Sequence, residues 1–393
     1  MTAFPAYDEK ALDSLTKAVD AVLSVFAKKS YARVEPPVLQ PAQAFLDRSG
    51  EEIRRRTYVL TDPSGQELCL RPDLTIPVCR MHLASGSELP ARLCYHGPAF
   101  RFQPNQPERP SQFLQTGVEC LGVAARERAD IEVLSLAAEG VRAAGLDDFS
   151  VKIGDLALFS GLIDALDIPP QWRGRLKRHF WRPDYFRQLL KRLSNGAPVA
   201  GDRYLAHLGA SNEKDARAAL SGLLDYLGSA PSGKSMGGRT REEIVERLME
   251  QAAEAAAIRL DARDVELIES VLNVKGPARQ AINDIAKLLK KRRVAIDAPL
   301  AAMAARIDAL EKLGLDGKRI AFAARFGRNM EYYTGFVFEL WSKDGEGDVQ
   351  IAGGGRYDTL LKMLGAKKDI HAVGCAIRIE RVLAARARKG KRP

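Results

Sequence analysis

Residues 93–121, LCYHGPAFRFQPNQPERPSQFLQTGVECL, concentrate side chains able to do chemistry. Two strand-like runs, 93–101 and 111–120, flank a polar loop at 102–110 punctuated by prolines. The first run delivers Arg101 and the loop carries Arg109. The return run places Gln115, Gly117 and Glu119 on one face, because side chains two apart on a strand point the same way. A single arginine between strands commonly ends in a surface ion pair. Beside an inward Gln and Glu, arginine also suits a pocket that grips an anionic group while a carboxylate takes up an ammonium.

Four further segments carry similar potential. In 70–75 (LRPDLT) Asp73 and Thr75 stand two residues apart at a strand end, which is equally the pattern of an Asx-capped turn. In 328–339 (RNMEYYTGFVFE) Tyr333 opens a strand, with Arg328 upstream. In 352–358 (AGGGRYD) three glycines allow close approach of a backbone to a ligand, next to Arg356 and Tyr357. In 372–383 (AVGCAIRIERVL) an apolar strand runs into a helix, with Glu380 and Arg381 at the junction.

Elements that position these residues follow from periodicity. Apolar residues at helical spacing predict a helix over 8–26, and 31–39 reads as extended. A hairpin over 56–70 turns at Pro63–Gly65, a helix spans 129–144, and a strand covers 149–153. From 156 to 315 the composition shifts to Ala, Leu, Arg and Glu in helical periodicity, which predicts an all-helical insertion. Strand signals return at 319–324, 331–341 and 348–352, and a closing helix begins near Tyr357. Strands from both ends then share one sheet, giving an α+β fold with a core of 1–155 and 316–393 and a helical insertion domain at 156–315.

Composition narrows the function classes. The chain has 393 residues, 46% apolar and 28% charged, enough for a large core and two or three folding units. No window approaches the ~20 consecutive apolar residues of a membrane span, and Asp8, Glu9 and Asp13 replace the positive start of a signal peptide, so a cytoplasmic protein is expected. Cys69, Cys79, Cys94, Cys120 and Cys375 form no CxxC pair, so they read as buried thiols rather than metal ligands. The net charge of +10 fits solvated helix faces and a basic tail, or a surface for an acidic or nucleotide partner.

In combination and order, these segments resemble class II aminoacyl-tRNA synthetases, and among them histidyl-tRNA synthetase, over 3–155 and 319–383. Residues 36–49 (PPVLQPAQAFLDRS) are similar to the first class II motif, which builds the dimer interface. YHGPAFR with QFLQTGVE resembles the second and AVGCAIRIER the third, while the arginine–tyrosine segment and AGGGRYD resemble the two histidine signatures. The resemblance implies an antiparallel sheet flanked by helices. It implies a histidine site of Asp73, Thr75, Arg101, Gln115, Glu119, Arg328, Tyr333 and Tyr357. It also implies phosphate-binding arginines at Arg101, Arg109 and Arg381, with Arg328 stabilising the transferring carboxyl and phosphate. Asp73 stands where the family has glutamate, one methylene longer.

Two departures bear on activity. Gln103 replaces a glutamate that orients ATP, in a loop region holding Pro98, Pro104, Pro107 and Pro110, and Arg378 replaces a glycine beneath the adenine. The chain is also expected to lack an anticodon-binding domain, since it stops about a dozen residues after Arg381. A kept amino-acid pocket with an altered nucleotide pocket resembles the paralogous family of ATP phosphoribosyltransferase regulatory subunits. That resemblance implies no catalytic residues, no cofactor or metal, and no tRNA partner. It implies a homodimer through the class II interface that assembles with the short-form catalytic subunit and binds L-histidine. The alternatives are a truncated synthetase-like enzyme that activates histidine or aminoacylates another acceptor, and a nucleic-acid-binding module resting on net charge alone.

Overall fold

The computed structural model describes residues 6–46, 50–103, 109–180, 183–195, 213–226, 244–246, 248–249, 260–315, 319–326, 332–343 and 347–389. Arg328 and the loop prolines Pro104 and Pro107 lie outside the described residues. The N-terminal part runs α1 (Glu9–Lys28), β1 (Ala32–Arg33), β2 (Leu39–Pro41), α2 (Gln43–Leu46), α3 (Gly50–Arg56), β3 (Val59–Thr61), β4 (Glu67–Leu70) and α4 (Thr75–Ser85). It continues through β5 (Ala91–Phe100), β6 (Gln112–Leu121), α5 (Arg126–Ala143) and β7 (Ser150–Asp155). Helices α6 (Leu156–Ala165), α7 (Pro170–His179), α8 (Pro183–Asn195), α9 (Glu213–Tyr226) and α10 (Ala262–Leu272) follow. The chain then forms β8 (Lys275–Pro277), α11 (Ala278–Lys291), α12 (Asp297–Lys312), β9 (Ile320–Ala323), β10 (Phe336–Lys343), β11 (Asp348–Arg356), α13 (Leu360–Met363), β12 (Ala372–Ile377) and α14 (Ile379–Lys389).

A nine-stranded sheet in the order β1-β5-β6-β12-β11-β10-β7-β9-β8 forms the framework, and β2-β4-β3 form a smaller one. Strands from the two ends of the chain interleave, as expected: β12 pairs with β6 and β10 with β7, both antiparallel. Among the described residues, only β1–β5 and β7–β9 run parallel. Helix α1 starts where the Asp8 carboxylate accepts the Ala11 amide at 2.8 Å, satisfying one of the unpaired donors of the first turn. Its stripe of Leu15, Ala18, Val19, Val22 and Phe26 is buried, and it packs with α5 and α14 on one face of the large sheet. The opposite face is left to the polar residues of β6 and their neighbours.

The compact division is narrower than the 156–315 insertion read from composition: one unit comprises Met1–Leu162 and Val271–Pro393, the other Ile163–Ser270. Residues after 270 stay with the larger unit for two physical reasons. Lys275–Pro277, read within an all-helical block, is instead a short strand hydrogen-bonded to β9 at the sheet edge. Arg306 of α12 is buried between Asp130 of α5 and Asp155 of β7. The smaller unit is helical in its described residues, with Trp172, Leu176, Phe186, Leu189 and Leu193 buried. Three other differences concern the site. Helix α4 was not anticipated, Arg56 ends a helix rather than starting a hairpin strand, and β11 extends through all three glycines.

Candidate functional site

Three corners of the larger unit converge on one cavity. Strand β4 ends at Leu70, and the chain turns through Asp73 into α4, putting Thr75 at the first helical position. The Asp73 carboxylate accepts the Ile76 amide at 3.3 Å through Oδ1, closing the turn into α4 from the residue before its N-cap, Leu74. Its Oδ2, however, is buried with no hydrogen-bond partner. Strand β6 contributes Gln115 and Glu119, and Gln115 Oε1 is likewise buried and unpartnered. Tyr357 follows β11, and Tyr332 and Tyr333 precede β10, with their rings 4.9 Å apart. Asp73, Thr75, Arg101, Gln115, Tyr333 and Tyr357 all line this small cavity, together with Tyr332, Gly353, Gly374 and Arg378.

Glu119 lies behind that lining, fully buried. It accepts the Tyr95 hydroxyl at 3.1 Å, the Tyr357 hydroxyl, and a hydrogen bond from Thr75. Removal from water dominates over these three donors and lifts its carboxyl from 4.5 to about 8. Burial raises the Asp73 carboxyl too, against the pull of Arg101. The site is thus a pair of buried acids, reluctant to ionise alone, beside two acceptor atoms that lack a donor. Buried acceptors are normally satisfied, so this arrangement suits a ligand that brings N–H groups and positive charge.

The sheet has to be bare for the acid to fit. Gly374 faces Glu119 across the β12–β6 ladder, and a Cβ there would stand 1.6 Å from Glu119 Oε2. Of the three consecutive glycines expected to approach a ligand, Gly353 lines the cavity, whereas Gly354 serves strand contact, its Cβ position falling 2.2 Å from the Gly374 carbonyl.

The arginines are arranged less uniformly. Arg101 donates from Nε to the Pro72 carbonyl at 2.7 Å, so its guanidinium is braced at the cavity wall. Arg381 donates to the Gln350 carbonyl at 2.9 Å, and neither it nor the exposed Arg109 lines the cavity. Gln103 is buried and accepts a hydrogen bond from Arg56. Arg378 lays its guanidinium over Phe113, with Cζ 3.5 Å from the ring centroid, and Arg101 stands 5.5 Å from the same ring. Phe113 and Tyr95 were not singled out from sequence, although period-two alternation puts Phe113 on the face of Gln115 and Glu119. Among the described residues, no group of three His, Cys, Asp or Glu could hold a metal ion, and no helix is long and apolar enough to cross a membrane.

Comparisons with known proteins bear on the fold and the family. The sequence model of the family described as histidyl-tRNA synthetase matches residues 6–230 and 234–382. An ATP phosphoribosyltransferase regulatory subunit of Allorhizobium ampelinum is 38% identical over 94% of this chain and 97% of its own. Its counterpart in Agrobacterium fabrum is 35% identical over 93% and 96%. Among solved structures, an ATP phosphoribosyltransferase regulatory subunit/histidyl-tRNA synthetase from Bacillus halodurans superposes with a TM-score of 0.68 at 22% identity, covering 98% of this chain and 82% of that one. A histidine–tRNA ligase subunit from Alicyclobacillus acidocaldarius gives 0.60 at 24% identity, covering 100% and 97%. These two likenesses establish the class II synthetase fold, and the sequence relatives establish the branch. The chain belongs to the histidyl-tRNA synthetase family and, within it, to the ATP phosphoribosyltransferase regulatory subunits.

Proposed function

We propose that this chain is a cytoplasmic regulatory subunit without chemistry of its own. It assembles with the short catalytic chain that joins phosphoribosyl pyrophosphate to ATP, is required for that chain's activity, and makes it answer to L-histidine. The observation that carries the histidine part is the pairing of unpartnered Asp73 Oδ2 and Gln115 Oε1 with the buried acid Glu119. An α-ammonium would meet Asp73 and Gln115, with the Glu119 carboxyl behind them favouring positive charge, and Arg101, with Arg328 from the sequence resemblance, suits the carboxylate. Reading of the side chain is assigned to Tyr333 and Tyr357, which line the cavity. Histidine regulates such an assembly only if it binds two states of it with different affinity.

Homodimer formation is assigned to the smaller sheet and its entry, where Val38 and Leu39 of the first class II motif and Val59 and Leu60 of β3 are exposed apolar residues. Reconstitution tests the whole reading. Adding this chain to the purified short transferase should raise its activity and confer inhibition by histidine. Full activity and full inhibition of the short transferase alone would overturn it. A second reading, histidine activation, draws on Arg101 and Arg381 being kept at or near the cavity. It requires histidine-dependent exchange between ATP and pyrophosphate by this chain, and we expect none.

A further inference from the structure

Glu119 is a buried acid that has to exist in two forms, ionised when a positive charge stands in the cavity and protonated without one. We infer that Tyr95 is the positioning residue that accommodates both: its hydroxyl donates to the ionised Glu119 carboxylate and turns to the Cys375 carbonyl when the acid holds its own proton. The inference rests on the ammonium reading of the cavity given above.

Strand register puts the pair together. Tyr95 of β5 stands opposite Gly117 of β6, so its side chain lies diagonal to Glu119, two residues further along the same face. The ring is fully buried, and its tip rests on the bare Gly117, where a Cβ would stand 2.6 Å from the tyrosine oxygen. That oxygen is 3.1 Å from Glu119 Oε1 and 3.4 Å from the Cys375 carbonyl of β12. A hydroxyl has one proton to donate, and it settles at about 2.7–2.8 Å from an acceptor it is committed to. Both distances are longer, so the proton lies between two acceptors and is held fast by neither. Burial, reinforced by Glu119, pushes the phenol well above its usual 10, so the group keeps its proton and only the direction of donation changes.

Protonation of Glu119 is what reverses that direction. A neutral carboxyl brings an O–H that is costly to bury without an acceptor. With the tyrosine proton turned to Cys375, the phenol oxygen offers that O–H a lone pair. When an ammonium enters the cavity, the acid's proton leaves for solvent and the Tyr95 hydroxyl swings back as a donor, with no covalent bond of its own changed. Thr75 and Tyr357 also donate to Glu119, but they line the cavity, whereas Tyr95 lies behind it and acts through the acid. The other titratable groups against Glu119 are Cys79 of α4, kept protonated by burial, and Asp73, whose carboxyl burial raises and Arg101 lowers.

Calorimetry of histidine binding to the purified full chain, at about pH 7 and about pH 9.5, tests this through the linkage between affinity and protonation. Comparing variant with wild type at each pH cancels the ligand's own titration. Donation to a carboxylate is worth more than donation to a carbonyl, so Tyr95→Phe should lift the Glu119 carboxyl beyond about 8 and leave more of it protonated near neutral pH. Histidine should then weaken by about five- to tenfold at the lower pH and by less than about twofold at the higher. In a Glu119→Gln background the same substitution should change affinity by less than about twofold at either pH. Tyr95→Met, which also removes the hydroxyl, serves where the phenylalanine variant does not fold. A loss of equal size at both pH values, or none at either, overturns the role of Tyr95 and leaves the ammonium reading intact. A wild type that binds no histidine, or whose affinity Glu119→Gln leaves unchanged, removes that reading and the inference with it.

Discussion

Glu119 sets the most specific expectation at the scale of single residues. Its folded carboxyl titrates near 8 instead of 4.5, because burial outweighs the hydroxyls of Tyr357, Thr75 and Tyr95, and Asp73 adds a second acidic group. Near neutral pH it therefore carries a proton. An ammonium favours the ionised form, so binding an amino acid should expel that proton, and affinity should rise with pH up to about 8. Calorimetry in buffers of different ionisation heat measures the proton released. Glu119→Gln should lose it and weaken histidine by about ten- to a hundredfold, the worth of a charge-assisted hydrogen bond. Equal release by wild type and variant would remove Glu119 from the ammonium site. The stability sign is opposite to that of a salt-bridged acid. With the folded value raised, the contribution is complete below 4.5 and is lost as pH rises through about 8. Glu119→Gln should remove that decline in a series of urea melts.

The β6–β12 ladder is where a residue's chemistry becomes a property of an element. Gly374→Ala would set a methyl 1.6 Å from Glu119 Oε2 and 2.8 Å from the Val118 carbonyl, so the acid or the strand has to move. Overpacking of this kind costs about 1–3 kcal/mol, and urea denaturation should register it together with loss of histidine binding. Gly222→Ala in α9, where nothing lies within 4 Å, is the matching control and should be neutral or slightly stabilising. Elements with a clean period were legible in the sequence: β5, β6, α1 and α5 fall where alternation or helical spacing puts them. Helix α4 was not, because its buried Ile76, Pro77, Val78, Cys79 and His82 form no single stripe and Pro77 reads as a breaker, although a first turn tolerates it. Strand β8 is three residues with a half-buried centre, extended because β9 offers a partner rather than through any propensity of its own. In the site, Asp73, Gln115 and Glu119 were legible from spacing and resemblance. The stacking of Arg378 on Phe113 and the capture of Gln103 by Arg56 were not, since each joins residues far apart in sequence.

A chain of buried charges ties the larger unit together behind the sheet. Arg306 bridges Asp130 at 2.7 Å and Asp155 at 3.2 Å, while Arg356 meets Asp130 at 2.6 Å and Asp358 at 2.9 Å. Four elements, α12, α5, β7 and β11, are joined by groups that water scarcely reaches. Buried pairs of this sort add little over apolar packing when intact, yet removing one partner strands the other charge at a cost of about 3–5 kcal/mol. Arg306→Met should therefore destabilise the fold by about that amount at pH 7.5, measured by urea denaturation. The loss should depend on pH in a definite direction. Burial already lifts the Asp155 carboxyl to about 6, with Arg306 the main force holding it down. Without the guanidinium its value climbs further, so the acid accepts a proton more readily in the folded state than in the unfolded chain. Stability linked to a raised value is complete below the ordinary 3.8 and declines as pH rises through the folded value. The deficit of Arg306→Met should accordingly shrink as the pH is lowered from 7.5 toward about 5.5. Adding Asp155→Asn, which removes the stranded charge, should recover part of the loss at pH 7.5. A deficit that ignores both pH and the second substitution would mean that Arg306 acts through packing against Phe336, whose ring lies 5.4 Å away, and not through its charge.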